Sequence, residues 1–478
     1  MKTDDTESSL GKDSFRNKHS ESVRDHLSLW DTVSIVIGIV IGAGIYETAP
    51  LIFKSVSSPA MALGVWALGG LLSLIGALCY AELASTYPRS GGDYVYLTKA
   101  YGPWAGFLFG WSQLAVIMTG GIGMMAYVFA TYAMKLSDFG PASQCAFAAA
   151  AVVILTLTNI LGMAFGKKTQ NALTALKVIG LGGILFAGFF WSKPGMMASS
   201  ATLPPQSSFG LAMILVLYTY GGWNDAAFVA AEVSNKRRNI PRALILGTLS
   251  ITAIYLLVNG AYLTGLGFEG ARQSQAIASD VLQQLFGKFG ARAISVLVMI
   301  SALGALNGLI FTGSRIYSTV GEDFRLFARL ARWNAQRGSP IWSLLTQAVI
   351  TLAMILLVGT KTGHVIIDKL LTQIGIGGAL WEGHGGFDTL LRCTAPVFWL
   401  FFLMTGTALF LLRYKDRNIE RPFTVPLYPL LPVIFCGMCL YMLYSSAVYA
   451  GKLIVIGIAP LLVGLLLYGW TYQRKTNR

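Results

Sequence analysis

Long apolar runs, separated by short polar connections, fill the chain from residue 29 almost to its end. A helix needs about 20 mostly apolar residues to cross a bilayer, so each run of that length predicts one membrane-spanning helix. The pattern predicts an all-α polytopic membrane protein with twelve transmembrane helices. The predicted spans are 29–53, 61–84, 103–133, 144–163, 171–191, 209–233, 243–267, 292–318, 341–359, 392–413, 427–447 and 454–473.

The composition excludes a soluble enzyme. Hydrophobic residues make up 54% of the chain and charged residues 12%, whereas a soluble domain carries about 25% charged residues. The spans contain no metal-ligand cluster, phosphate-binding loop or triad spacing, and the five cysteines lack the spacing of a zinc site. We therefore expect no enzymatic activity, no metal and no cofactor.

The net charge of +14 comes mainly from lysines and arginines in alternate loops. Cytoplasmic loops of membrane proteins carry an excess of these residues, and the richest segments here are 1–28, 234–242, 315–340 and 413–421. Placing them inside predicts a cytoplasmic tail at each end of the chain, the second over 474–478. The basic residues would then face anionic lipid and not nucleic acid.

The segment 361–391 lies between the ninth and tenth predicted spans. Part of it, 364–380, is apolar, but Asp368 and Lys369 interrupt it. Counting it as a span would move the basic loop 413–421 to the outside, against the charge bias. We interpret 361–391 as an outer insertion that contains an interfacial or capping segment.

Glycines interrupt the first and sixth spans, at Gly38, Gly42 and Gly44 and again at Gly221 and Gly222. Glycine weakens a helix, although small residues in a membrane helix also serve close packing. The two interruptions lie five spans apart, which is the pattern of two inverted repeats of five helices with a binding site near the midplane. Unwinding frees N–H groups for a carboxylate and carbonyls for an ammonium, so the pattern favours a zwitterionic ligand.

Five stretches of the chain carry a family resemblance. They are Gly42-Ala43-Gly44-Ile45-Tyr46 in the first span, Tyr87-Pro88-Arg89-Ser90-Gly91-Gly92-Asp93-Tyr94 after the second, Tyr220-Gly221-Gly222-Trp223-Asn224 in the sixth, Ser301, Gly304, Asn307 and Gly308 in the eighth, and Arg421-Pro422-Phe423-Thr424-Val425-Pro426 after the tenth. In this order they resemble the motifs of the amino acid–polyamine–organocation superfamily, and within it the L-type amino acid transporters. The likeness extends over nearly the whole chain.

The resemblance implies a LeuT-like fold. Two inverted repeats of five helices would occupy 29–191 and 209–413, the second with the outer insertion, and two further helices would lie in 427–473. It also implies alternating access to a central site in a multi-pass protein of the plasma membrane.

The resemblance further implies which residues contact the substrate. The substrate carboxylate would meet the N–H groups of Ala43 and Gly44, and its ammonium would meet carbonyls near Val40, Tyr218 and Gly221. Tyr218 takes the place of the family's aromatic gate. The full set of expected substrate contacts is Val40, Ile41, Gly42, Ala43, Gly44, Tyr218, Gly221, Gly222 and Asn307.

Three ionisable residues in the spans are candidates for ion coupling, since charges at bilayer depth are costly. Lys177 stands where some superfamily members place a lysine at the cation site of sodium-coupled relatives, or it extends its long side chain toward the interface. Asp225 and Glu47 either carry a proton or contact a cationic ligand. Alternatively, Asp225 caps the following half-helix and Glu47 faces water.

The sequence departs from the family pattern at several positions. Ala43 replaces a serine of many L-type members, and Glu47 follows the first motif where a small or neutral residue is expected. Eukaryotic L-type transporters pair with a glycoprotein through a cysteine between spans three and four. Cys145 lies at the start of the fourth span, so we expect no heavy-chain glycoprotein partner.

These observations together predict a secondary active amino acid transporter that works by sodium-independent exchange or proton-linked uptake. A carrier of polyamines or other organic cations is the alternative within transport, and Glu47 and Asp225 favour it. A sensor that binds amino acid without transport is a further alternative, although the chain has no soluble effector domain.

Overall fold

The computed structural model describes residues 27–136, 143–191, 209–274, 276–373, 375, 377–378 and 385–476. Most of the predicted N-terminal tail and part of the outer insertion therefore lie outside the described residues, as do the last two residues of the C-terminal tail. The helices are α1 Leu29–Val40, α2 Gly44–Ser55, α3 Pro59–Thr86, α4 Asp93–Tyr101, α5 Pro103–Met134, α6 Ser143–Ile160, α7 Met163–Phe186, α8 Phe209–Thr219, a 3₁₀ helix Trp223–Glu232, α9 Lys236–Gln273, α10 Ile277–Phe286, α11 Lys288–Asp323, α12 Ile341–Gly359, α13 Lys361–Gln373, α14 Gly386–Lys415, α15 Leu430–Ala450 and α16 Ile454–Thr476. The described residues contain no β-strand, only isolated bridges between Leu27 and Val233 and between Asn334 and Ser339.

The protein is an all-helical, polytopic membrane protein, as the apolar pattern predicts. Among the described residues, nine helices are long and apolar enough to cross a membrane, and the bent pair of α1 and α2 makes a tenth when it is counted as one span. Each predicted apolar run falls on one helix or on two helices separated by a break. The sixth run is divided between α8 and the 3₁₀ helix.

Side-chain caps define where the first spans begin. The Ser28 hydroxyl accepts a hydrogen bond from the Asp31 N–H at 3.1 Å, and the Asp31 carboxylate accepts one from the Ser28 N–H at 3.0 Å. This reciprocal arrangement satisfies two N–H groups that a helix start otherwise leaves unpaired. At α3 the Ser58 hydroxyl accepts a single hydrogen bond, from the Met61 N–H, and Pro59 occupies the first turn, where its missing N–H costs nothing.

Several helices differ from the sequence prediction. Two polar connecting helices, α4 and α10, were not expected, because the apolar pattern detects only segments long enough to span. In the outer insertion, α13 buries Gly363, Ile367 and Leu371, which recur every four residues and so share one face. This is an amphipathic helix packed against α12, and it is not among the helices long and apolar enough to cross a membrane.

The broken first span lies in the middle of the helix bundle. Helix α1 contacts α7, α9, α11 and the 3₁₀ helix. The longer helices pack in pairs around this centre, α9 along α3, α11 along α5, and α14 along α15. The interrupted first span is therefore surrounded by other helices of the bundle.

The helix ends next to the loops 234–242, 315–340 and 413–421 form what we call the basic face. Here the Arg315 guanidinium donates to both carboxylate oxygens of Glu232, at 2.9 and 3.2 Å, and both side chains are almost completely buried. Arg315 also lies over the ring of Phe311, at 3.7 Å from its centre. The pair ties α11 to the end of the 3₁₀ helix.

Replacing Arg315 by methionine should destabilise the protein by about 3–5 kcal/mol, because Glu232 would keep a buried charge without a counter-ion. The measurement is the melting temperature of the purified protein in detergent. Arg237→Met is the matched control, since its pair with Glu420 is mostly exposed and such a pair contributes about 0–1 kcal/mol. Equal melting temperatures for the two variants would contradict the prediction.

Candidate binding cavity between two broken helices

The first and sixth predicted spans are each interrupted at their glycines. Helix α1 ends at Val40, α2 begins at Gly44, and the two axes are bent by 50°. In the sixth span α8 ends at Thr219, and Gly222 adopts φ +104°, a left-handed conformation that favours glycine. Both interruptions therefore lie where the sequence predicts them.

The first interruption leaves N–H groups exposed at the start of a helix. The N–H groups of Tyr46 and Glu47 bond back to the carbonyl of Ala43, whereas those of Ala43 and Gly44 precede the first turn of α2 and have no acceptor within it. The N-terminus of a helix carries a partial positive charge. This end of α2 is suited to an anionic group such as a carboxylate.

Tyr255 of α9 joins the two interruptions. Its buried hydroxyl lies 3.0 Å from the carbonyl oxygen of Val40 and 3.2 Å from that of Thr219. One hydroxyl thus donates to a carbonyl at each break, where the interrupted helix no longer provides an N–H partner. The role of Tyr255 could not be predicted from the sequence, because a tyrosine in an ordinary apolar span does not reveal which groups its hydroxyl will bond.

A cavity of about 180 Å³ lies between the two interruptions. We call it the central cavity. Seven of the nine residues expected to contact substrate line it: Val40, Gly42, Ala43, Gly44, Tyr218, Gly221 and Gly222. The opposite wall is formed by residues that the sequence analysis did not select: Gln113, Ile117, Met118, Gly121, Met124, Met125, Leu391, Thr394, Ala395, Phe398 and Trp399. Gln113 belongs to a π-helical turn in α5, Gln113–Ile117, which no sequence pattern indicated.

Asn307 and Ile41, the other two residues expected to contact substrate, do not line the central cavity. The buried side chain of Asn307 accepts from Asn159 at 2.9 Å and donates to Gln170 at 2.8 Å. Its position on the same apolar helix as the family motif did not reveal that it faces α6 and α7. Asn307 therefore connects three helices.

Lys177 is fully buried and bonded to backbone carbonyls. Its ammonium donates to the carbonyl oxygens of Gly38 at 2.7 Å, Ile41 at 2.7 Å and Ser301 at 3.1 Å. Gly38 lies in the last turn of α1 and Ile41 directly follows it, and the end of a helix carries a partial negative charge. The alternative in which Lys177 extends toward the interface is therefore wrong.

The two acidic candidates lie in different surroundings. Asp225 is buried and lines the central cavity from the first turn of the 3₁₀ helix. Glu47 lies in the first turn of α2 but is exposed and outside the central cavity. Only Asp225 is therefore in reach of a ligand in the cavity.

Tyr218 separates the central cavity from a second, larger one. It lines both, and its ring packs edge-on against Phe387 at 6.2 Å between centres. The second cavity, which we call the side pocket, has a volume of about 790 Å³. It is lined by Leu51, Lys54, Ser55, Leu211, Ile214, Leu215, Tyr218, Leu391, Ala395, Trp399, Met442, Ser445, Ser446 and Tyr449.

Cys145 lies in the first turn of α6, where its thiol donates to the carbonyl of Gly359 at 3.3 Å. Among the residues that the structure describes, all cysteines are free and no group of three His, Cys, Asp or Glu side chains is placed to hold a metal ion.

Comparison of the sequence with known proteins finds one family and several related transporters. The chain matches the model of the family described as amino acid permease over residues 27–467. It is 29% identical over 470 residues to the large neutral amino acids transporter small subunit 2 of Mus musculus, covering 95% of this chain and 82% of that protein. It is 28% identical over 468 residues to the serine/threonine exchanger SteT of Bacillus subtilis, covering 96% and 100%. It is 27% identical over 473 residues to the human cystine/glutamate transporter, covering 96% and 88%.

Replacing Gly222 by alanine should destabilise the protein by about 1–3 kcal/mol, the cost of a left-handed conformation for a residue with a side chain. The added Cβ would also lie 2.7 Å from the Ile39 side chain. Gly42→Ala is the matched control, because its Cβ would find Met125 Sδ at an ordinary 3.5 Å. Melting temperatures of the two purified variants test this, and a Gly222→Ala protein as stable as Gly42→Ala would disprove the strain.

Proposed function

The chain belongs to the amino acid permease family, and from that premise we propose that it exchanges amino acids across the membrane by alternating access. Three relatives named as an amino acid transporter, a serine/threonine exchanger and a cystine/glutamate transporter support this function. The proposal makes this chain a secondary active transporter and not an enzyme.

The observation that carries the proposal is the cavity between the two interrupted helices. The start of α2 offers the N–H groups of Ala43 and Gly44 to a carboxylate, and both residues line the cavity. Carbonyls at the breaks, near Val40, Tyr218 and Gly221, offer acceptors to an α-ammonium. The main-chain part common to all amino acids thus has partners of matching charge.

We propose twelve spans arranged as in the LeuT-like fold. One repeat would occupy 29–191 and its inverted counterpart 209–413, with the outer insertion, followed by two helices in 427–473. Interruptions in the first and sixth spans support this arrangement. The last two spans follow from the division of the apolar segment Leu430–Thr471 at Gly451, which has φ +54°.

We propose that the basic face is cytoplasmic and that the protein lies in the plasma membrane with both termini inside, since lysines and arginines concentrate in its loops. On this face the chain before α1 pairs with the end of the 3₁₀ helix: the Leu27 N–H donates to Glu232 O, and the Ser234 N–H to Leu27 O, both at 2.9 Å. These contacts join the inner ends of both broken spans. Tyr218, between the central cavity and the side pocket, would be the gate toward the other side.

Lys177 supports an exchange that does not depend on sodium. Backbone carbonyl oxygens are among the ligands that hard metal ions take in proteins, and here three of them bind the ammonium of Lys177 instead. In its protonated form Lys177 therefore supplies a positive charge that belongs to the protein itself. We propose that this fixed charge replaces a transported ion.

We propose that the chain works without a glycoprotein partner. The half-buried thiol of Cys145 is directed to the carbonyl of Gly359, inside the protein. In this proposal the protein binds its amino acid substrate and contacts the surrounding lipid, and it binds no nucleic acid.

Exchange by the reconstituted protein should be unchanged when choline replaces sodium on both sides. Lys177→Met should lower the exchange rate more than about tenfold, because three buried carbonyls would lose their donor. Lys168→Met is the matched control, since Lys168 is exposed on the same helix. Initial rates of labelled amino acid uptake into proteoliposomes measure both effects. Uptake that collapses without sodium would contradict the proposal.

Counterflow in proteoliposomes tests the function itself. Vesicles loaded with a mixture of amino acids should take up an external labelled amino acid, and empty vesicles should not. Gly44→Leu should abolish uptake, because already the Cβ would lie 3.0 Å from the Thr219 side chain and the larger side chain would block the interruption. Folded wild-type protein that takes up no amino acid would refute the proposed function.

A further inference from the structure

One wall of the central cavity has hydrogen-bond acceptors without donors. The carboxylate of Asp225 lines the cavity, and no group in the described part of the chain donates a hydrogen bond to it. Gln113 lines the same cavity and is 4% exposed, and its side-chain oxygen is buried without a partner. Buried acceptors are almost always paired in native proteins, so this wall is suited to a ligand that brings donors.

No positively charged side chain of the described residues contacts Asp225. The lining of the central cavity, as far as the chain is described, contains no lysine, arginine or histidine. Lys177 is bonded to three carbonyls, and Arg315 is paired with Glu232. An ionised carboxylate at bilayer depth is costly unless a cation accompanies it.

The charged group that acts on Asp225 is itself an acid. Asp93, at the start of α4, is buried and accepts hydrogen bonds from Thr405 at 2.5 Å and from Tyr80. Burial raises the pKa of Asp93 to about 6. Because two neighbouring carboxyl groups disfavour each other's ionisation, a positively charged ligand group in the cavity would stabilise their charged forms.

The distance from the main-chain site also fits a charged side chain. Asp225 follows Gly222 by three residues in a 3₁₀ helix, which rises about 2 Å per residue, so it lies about 6 Å further along the axis. The stem of lysine, four methylenes long, covers such a distance. Ile117 and Met118, which also line the cavity, would pack against an apolar stem of this kind.

We propose that the preferred substrates are amino acids with a positively charged side chain, whose ammonium or guanidinium group binds to the Asp225 carboxylate and the Gln113 side-chain oxygen. This proposal rests on the proposed function, because the same substrate is held by its carboxylate at the start of α2. The positive charge of the side chain then neutralises Asp225 when the cavity is occupied.

The test compares labelled lysine and labelled leucine in counterflow, with wild-type protein and with Asp225→Asn. The wild type should exchange lysine. The variant keeps the shape of the side chain but not its charge, so lysine uptake should fall about tenfold to hundredfold, as expected for the loss of a charge-assisted hydrogen bond, while leucine uptake is retained. Retained leucine uptake also shows that the variant is folded.

Two matched variants make the result specific. Glu47→Gln removes the acidic side chain of the other broken span, which lies outside the cavity. Lysine uptake should be unchanged in this variant. Asp225→Glu restores the charge and should recover part of the lysine uptake. Cadaverine, which is lysine without its carboxylate, should not compete.

The outcomes separate this inference from the proposed function. Wild-type protein that exchanges leucine but not lysine or arginine would overturn the inference and leave amino acid exchange standing. Equal losses of lysine and leucine uptake in Asp225→Asn would also overturn it, since Asp225 would then serve transport of every substrate. Competition by cadaverine without uptake of any amino acid would instead overturn the proposed function.

Discussion

The structure depends on one constraint: inside a bilayer, every backbone N–H and C=O needs a partner within the protein. Two helices are broken at their glycines in the middle of the bundle, and each break removes bonds that the helix would have made. Side chains of other helices replace part of them. Lys177 binds the carbonyls of Gly38 and Ile41, and Tyr255 binds those of Val40 and Thr219. The N–H groups at the start of α2 have no acceptor within that helix, and in the proposed function they bind the substrate carboxylate.

Some hydrogen-bond partners lie within one helix and others lie on different helices. This difference explains how much of the molecule could be predicted from the sequence. Apolar length and glycine position are local properties, so the spans and both interruptions could be predicted. Side-chain partners across the bundle depend on which face of each helix meets which neighbour, and a single apolar sequence does not contain that information. For this reason neither the contacts of Asn307 with α6 and α7 nor those of Tyr255 with the two breaks could be predicted. Gln113 was missed because a π-helical turn, which redirects a side chain, leaves no pattern in an apolar run.

Charged residues show the same limit more sharply. Lys177, Glu47 and Asp225 have similar apolar surroundings in the sequence, yet one is bonded to carbonyls, one is exposed and one lines the cavity. The energetic cost of a charge in the bilayer predicts that each must be compensated. Whether a charged side chain is compensated by carbonyls, by solvent or by a ligand depends on how the helices are arranged around the breaks.

The carbonyl cage around Lys177 has a thermodynamic consequence. A cation that never leaves its site cannot transmit the electrochemical potential of an ion gradient to the substrate. A carrier with such a tethered cation gains no energy from a sodium gradient at this site, so in the proposed exchange one amino acid accumulates only as another flows out. The covalent tether of one ammonium group would thus decide that the protein redistributes the cell's amino acid pool without enlarging it.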